Sequence, residues 1–242
     1  MAEISSTGDQ MLQLLELVAF EGPRTTAELA AVAGINRTVA HRLLNTLHER
    51  GYVSRDGKAF NLGPILSQMA GSEKTNYVPR LARPVLDELA NDIGECVVMH
   101  HMDGEEAVVI EQATSDAEIV RVQHRVGARH SLWVGASGLA ILAWQDDQTL
   151  KRLLAKQKNP GEMRSRLSSI VEKGYAITKN ELQLGVAGAA VPIIEPGKSV
   201  RYSLAILVPE QRWERLPDNI NRLIAAKKTI EKLITEDCVP AK

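Results

Sequence analysis

The sequence predicts an α+β chain of two unequal domains: a small helical domain closed by a β-hairpin, then a larger domain of strands and helices. Three observations carry this reading. The 242 residues exceed a typical single domain. Between Met11 and Leu62, helix-period patterns separated by glycine turns give way to two short strands joined by Asp56-Gly57. Beyond Cys96, strands in hairpins precede strands that follow helices, the order of a largely antiparallel sheet with helices around it.

In the first part, Met11, Leu14, Leu15 and Val18 follow the i, i+3, i+4, i+7 spacing of one buried helical stripe, which Gly22-Pro23 ends. Thr25 with Glu28 three residues on is a capping box that starts a second helix through Ala27–Ala33. Gly34 supplies a turn that needs positive φ, and Asn36 caps a third helix running to about Arg50. Tyr52–Arg55 and Lys58–Leu62 then form a hairpin on Asp56-Gly57. This is the order of a winged helix-turn-helix.

Residues 64–78 read as a polar connector, with Gly71–Asn76 its most hinge-like stretch. A helix from Pro79 to about Ile93 contains Pro84, so it starts near that proline or kinks there. Cys96–Met102 and Ala107–Gln112 flank Asp103-Gly104 as a second hairpin, and Ile119–Val126 is a further strand candidate. Gly138–Trp144, Asp147–Ala155 and Glu162–Lys173 read as helices. Ala176–Thr178, Val186–Ile194 and Arg201–Val208 read as strands, and Asp218–Glu236 is a closing amphipathic helix. The expected domains are 1–66, a connector over 67–84, and 85–242.

Composition narrows the class. A 44% hydrophobic and 24% charged chain is an ordinary globular one. Its longest apolar run, Gly185–Ile194, is too short to cross a bilayer. MAEISSTGDQ has neither the basic start nor the apolar core of a signal peptide. Cys96 and Cys238 lie far apart and form neither a disulfide framework nor a zinc site, which fits a reducing cytoplasm.

Net charge is only −1, but it is segregated. Residues 1–33 carry five acids against Arg24, whereas residues 34–63 carry Arg37, Arg42, Arg50, Arg55 and Lys58 against Glu49 and Asp56. The basic face therefore falls on the third helix and the hairpin.

On that helix Ala40, Leu43, Leu44 and Leu47 share one face, and Arg37, Thr38, His41, Arg42 and Asn45 share the other. The second set comprises residue types that hydrogen-bond base edges and phosphates in a major groove. Arg55 and Lys58 on the hairpin suit phosphates or the minor groove, and Thr25, Thr26 and Asn36 stand at helix starts where phosphate also binds. A polar helix face alone is usually a solvated surface. The capping box, glycine turn and basic hairpin in the right order are what make it a candidate DNA-reading helix.

The run Thr38–Val53 resembles the recognition helix and following strand of the IclR family of bacterial transcription regulators. Leu62-Gly63-Pro64, Leu81–Ala90, Arg125–Arg129, Lys173–Ala176 and Glu181–Val186 are similar to its later segments, in order. The resemblance implies a GAF-like C-terminal domain that binds a small organic or aromatic acid. It also implies homodimers through the N-terminal part and homotetramers through the sensor domains.

By the same resemblance, the effector site uses backbone N–H groups at a helix start, an acidic residue, a cysteine and two serines. The helix start corresponds to Gly135–Gly138, with Ala136 and Ser137 in it. The side-chain positions fall on Thr178, Gly188, Ala205 and Leu207, and Ile119, Val122 and Trp133 are expected as apolar walls. Such a pocket is short of polar anchors and implies a relatively apolar aromatic or aliphatic acid, or packing that has closed the cavity.

Other chemistry is not encoded. His100 and His101 are adjacent on a strand, so their rings point to opposite faces and cannot chelate one metal. His124 and His130 flank Arg125 and Arg129 and read first as a solvated loop, with a pocket mouth or an interface as the alternatives. No catalytic triad, phosphate loop or acid/base pair is recognisable, so neither an enzyme nor a cofactor is expected. Two function classes remain: a ligand-responsive regulator bound to a pseudo-palindromic operator, and a binding module whose helix-turn-helix serves assembly.

Overall fold

Local sequence signals set the smaller unit. Ser5 Oγ accepts from the Gly8 N–H and starts α1 (Ser6–Glu21), which buries Leu14 and Val18. Thr25 and Glu28 form the reciprocal capping box of α2 (Thr26–Ala33), and Gly34 ends it at φ 66°. Asn36 Oδ1 accepts from the Thr38 N–H at 2.9 Å and starts α3 (Arg37–Glu49). Ala40, Leu43, Leu44 and Leu47 of α3 close on Leu14, Val18, Leu29, Val53 and Phe60 in one core. The hairpin is β2 (Val53–Asp56) and β3 (Ala59–Leu62).

Two features of this unit depart from the sequence reading. A two-residue strand β1 (Arg24–Thr25) pairs antiparallel with β3, giving the order β1-β3-β2. Residues expected as connector form α4 (Pro64–Ala70). Ahead of α4, Gly63 lies against the Gly51 backbone, where a Cβ would sit 2.1 Å from the carbonyl oxygen.

The computed structural model describes residues 4–70 and 77–237, so the Gly71–Asn76 hinge and Cys238 fall outside it. The chain divides into two units at 76/77. In the second unit α5 (Tyr77–Ile93) runs through Pro84 and buries Val78 and Ala82 beside Val85, Leu86 and Leu89. Residues 77–84, expected as connector, thus contribute to a core.

The sheet comprises β4 (Cys96–Asp103), β5 (Glu106–Ala113), β6 (Arg129–Ser131), β7 (Ala176–Lys179), β8 (Val186–Ile193) and β9 (Tyr202–Pro209). Its order is β6-β5-β4-β9-β8-β7, with every pairing antiparallel. α5 and α9 (Leu216–Asp237) pack on one face against Val97, Met99, Val191, Leu204 and Ile206. α6 (Ala136–Leu142), α7 (Asp147–Leu154) and α8 (Pro160–Lys173) cover the other, against Cys96, Val98, Ala190, Ala205 and Leu207.

The strand expected over Ile119–Val126 is absent; 119–126 is irregular. Its backbone is held from the side instead. Arg212, in the 3-10 turn Glu210–Arg215, donates to the Val120 carbonyl at 2.9 Å and forms a two-pronged ion pair with buried Glu95. Arg215 pairs with Glu118. Ile119 is left fully exposed, so the apolar letters that suggested a strand include side chains that bury nothing.

α6 approaches the chain before it so closely that a Cβ on Gly138 would meet the Leu132 carbonyl oxygen at 2.5 Å and its Cα at 2.7 Å. Both contacts are backbone and cannot swing aside. Gly138→Ala is therefore expected to lower stability by about 1–3 kcal/mol in thermal or urea unfolding. Gly161→Ala, at the start of α8 where nothing lies within 4 Å, should be neutral or stabilising by up to about 1 kcal/mol.

Candidate functional site

The polar face of α3 is built by the burial of its other face. With Ala40, Leu43, Leu44 and Leu47 inward, Arg37, Thr38, His41 and Arg42 are exposed and Asn45 is half-buried. Thr26, Arg37, His41, Arg55 and Lys58 line one open groove, together with Thr25, Ala27 and Gly57. The groove brings the start of α2, the start of α3 and the hairpin turn together around three permanent cations.

The hairpin is tied to α3 through side chains. Arg55 Nη2 donates to Asn45 Oδ1 at 3.2 Å and stacks over Phe60 at 4.9 Å. Asn45 Nδ2 meets His41 Nδ1 at 3.3 Å. Asn36 is different from the others: its side-chain oxygen is used to cap α3. Thr25 is likewise engaged with Glu28 at 2.7 Å.

The second candidate lies in the larger unit, on the α6 side of the sheet. A cavity of about 30 Å³ is lined by Ala136, Ser137, Thr178, Gly188 and Leu207, five of the nine expected residues. Gly188 suits the site because Leu207 Cδ2 already lies 3.0 Å from where its Cβ would be. The other four expected residues do not line it. Ile119 is solvent-exposed, Val122 and Ala205 are packed in the core, and Trp133 packs against that core.

The cavity wall also includes His100, His124, His130, Glu181, Leu182 and Gln183. His100 shares the phase of Cys96 and Val98 on β4, so strand alternation turns it inward with them. It is 1% exposed, and neither ring nitrogen has a hydrogen-bond partner. His130 meets it edge-on, with ring centroids 5.1 Å apart. His130 Nδ1 donates to the Ser131 carbonyl at 3.0 Å, leaving Nε2 buried and unpartnered. Ser203, paired with His100 across the β4–β9 ladder, has an equally orphaned Oγ.

Burial, with His130 and His124 as neighbours, holds the His100 imidazole well below its ordinary value of 6.5. Burial lowers His124 and His130 in the same direction. Glu181 is held by Arg166 at 2.6 Å. Burial pushes the Cys96 thiol up to about 12, so it is no nucleophile. Among the described residues no group of three side chains is placed to hold a metal ion.

Two family models account for most of the chain. The IclR helix-turn-helix domain matches residues 9–57. The bacterial transcriptional regulator IclR C-terminal domain matches residues 74–232. The chain belongs to the IclR family.

Within it, the chain is 26% identical over 220 residues to the regulator KipR of Bacillus subtilis, covering 85% of this chain and 88% of that protein. It is 29% identical over 219 residues to TtgV of Pseudomonas putida, covering 86% and 83%. The Thermotoga maritima IclR structure has the same fold, with a TM-score of 0.71 at 22% identity, over 94% of this chain and 98% of that one. These proteins are transcriptional regulators rather than enzymes. Among the described residues no helix is long and apolar enough to cross a membrane.

The sequence reading expects an effector pocket short of polar anchors; the cavity carries polar groups at other positions. Gly188 and Leu207 place no polar side chain on the wall from β8 and β9, while the histidines supply imidazoles from β4, β6 and the segment before β6. The signal was available: His100 is in register with the inward residues of its strand.

The lowered histidines also set a pH dependence. Above about pH 6.5 they are neutral in folded and unfolded chain alike, and they impose no penalty. As pH falls below that value, the unfolded chain takes up protons that the folded one refuses, so stability is lost. The thermal midpoint should therefore drop between about pH 7 and pH 5.5, at up to about 1.4 kcal/mol per pH unit for each excluded proton. His100→Gln should make that slope shallower, whatever it does to stability at neutral pH.

Proposed function

We propose that this IclR-family regulator is a cytoplasmic homo-oligomer, dimer or tetramer, that binds a pseudo-palindromic operator and responds to an organic acid. Residues 1–66 are the DNA-binding domain in this reading, and the unit from Tyr77 onward carries effector binding and oligomerisation. A two-fold pair of winged helix-turn-helix domains presents two α3 helices to successive major grooves, which is why a pseudo-palindrome is expected.

On each half-site, Arg37, Thr38, His41, Arg42 and Asn45 reach base edges and nearby phosphates, while Thr26, Asn36, Arg55 and Lys58 hold the backbone. Supporting this division, His41, Asn45 and Arg55 form one side-chain chain from helix to hairpin. For Asn36 only the backbone and the amide nitrogen are available, since Oδ1 caps the helix.

The observation that carries the effector reading is the buried, histidine-lined cavity beside Gly135–Ser137. Leu182, Val186 and Leu207 give it an apolar side, and the imidazoles give it a polar end. An acid with a hydrocarbon body matches both. The enclosed space has room for about two or three waters, so short aliphatic acids fit as it stands.

Binding to DNA upstream of the protein's own gene, measured against scrambled DNA, tests the first half. His41→Ala/Arg42→Ala is expected to lower specific affinity from roughly thirtyfold to about ten-thousandfold, at about 1–3 kcal/mol for each of two lost base contacts. Lys58→Ala should weaken specific and scrambled DNA alike and reduce the salt slope by about one. Unchanged operator binding by the double variant would assign the helix-turn-helix to assembly instead. For the second half, a short carboxylate should raise the melting temperature and shift operator affinity, and filling the cavity with Ser137→Leu should abolish both effects.

A further inference from the structure

We infer that this cavity takes its acid as a carboxylate together with a proton, captured from solvent by the facing His100–His130 pair, so that effector binding is coupled to proton uptake. The inference rests on the reading of the cavity as the effector site and specifies how that site recognises charge.

The argument begins with charge balance. The lining contains no lysine and no arginine. Its one carboxylate, Glu181, is already neutralised by Arg166. A carboxylate entering such a wall meets no permanent cation, and an unpaired buried anion is strongly disfavoured. The titratable side chains left are His100, His124 and His130. Neutralising the ligand therefore requires one of them to become an imidazolium.

Hydrogen bonding points to the same pair. His130 Nδ1 is committed to Ser131, so in the neutral ring Nε2 is a bare lone pair, and His100 has one N–H and one lone pair without partners. A proton added at His130 Nε2 forms a new N–H bond and turns that acceptor into a donor. Two donors then face the two oxygens of one carboxylate, across rings whose centroids are 5.1 Å apart. A single hydroxyl would leave more of these buried atoms unpaired. The lowered imidazoles of the unliganded site agree, because they leave the proton to arrive with the ligand.

His100 meets the His130 ring from β6 and pairs with Ser203 on β9, and the other polar groups on the cavity wall are His124, Ser137, Thr178, Gln183 and the paired Glu181. Glu106 on β5 acts on His130 and is itself held by Arg129 at 2.8 Å. None of these is a fixed positive charge able to replace the proton.

The test is calorimetric titration of the full-length protein with acetate, propionate, isobutyrate and benzoate, each beside its neutral amide. Titrations are run in phosphate and in Tris, whose ionisation heats differ widely. The expected result is uptake of about one proton per carboxylate bound, with affinity falling about tenfold per pH unit between the lowered pKa of the empty site and the raised pKa of the occupied one. His100→Gln should weaken carboxylate binding and flatten its pH dependence. Should that variant fail to fold, His130→Gln provides the same readout from a half-buried position. Amides binding as tightly as acids, or carboxylates binding without proton uptake, would overturn the coupling and leave the effector site standing. If neither acids nor amides bind at any pH, the effector-site reading falls and the coupling falls with it.

Discussion

The central strands β4, β8 and β9 carry apolar side chains on both faces, so neither face can be left to water. Odd-numbered residues of β4 (Val97, Met99) face α5 and α9, and even-numbered ones (Cys96, Val98) face α6 to α8. Everything in the larger unit follows from covering both sides. A helix layer on each face needs connections that pass over the sheet, and the cavity lies where those connections meet α6. His100 is inside because it is two residues beyond Val98, in a strand whose inward face has no solvent to offer it. The cost of that placement, two ring nitrogens without partners, is the reason to look for a ligand there.

The two candidate sites use charge in opposite ways. The groove at α3 has Arg37, Arg55 and Lys58, cations that stay charged at any physiological pH and face open solvent. That suits a polyanion whose counterions are released on contact and whose charge does not need to be discriminated. The inner cavity has only imidazoles, whose charge depends on what sits beside them. Under the proposed proton coupling, such a site would distinguish an acid from its neutral analogue without a permanent buried cation, which would burden the unliganded fold.

Much of the smaller unit was legible because its signals are local. A capping box, a positive-φ glycine, an asparagine cap and an Asp-Gly turn act within a few residues and declare themselves in sequence. What escaped was non-local: β1 exists only because Arg24 and Thr25 find Phe60 and Ala59 more than thirty residues on. In the larger unit the strand and helix periods gave the elements and the antiparallel character. They could not give the strand order, in which β4 neighbours β9. Ile119–Val126 misled for a related reason. Its composition is strand-like, but its backbone partners are side chains such as Arg212, and Ile119 faces water.

The candidate effector cavity illustrates the same division more sharply. A positional correspondence follows the backbone, and five of the residues it named, Ala136, Ser137, Thr178, Gly188 and Leu207, share the wall of one cavity. It does not report polar groups that other strands place on the same wall, here His100 and His130. A cavity needs its hydrogen-bonding groups somewhere on its surface, not at fixed positions. Gly188 and Leu207 leave the β8 and β9 part of the wall without polar side chains, and β4 and β6 supply imidazoles across the same space. Whether a pocket has lost its ligand is therefore a question about the sum over its lining, which sequence position alone does not report.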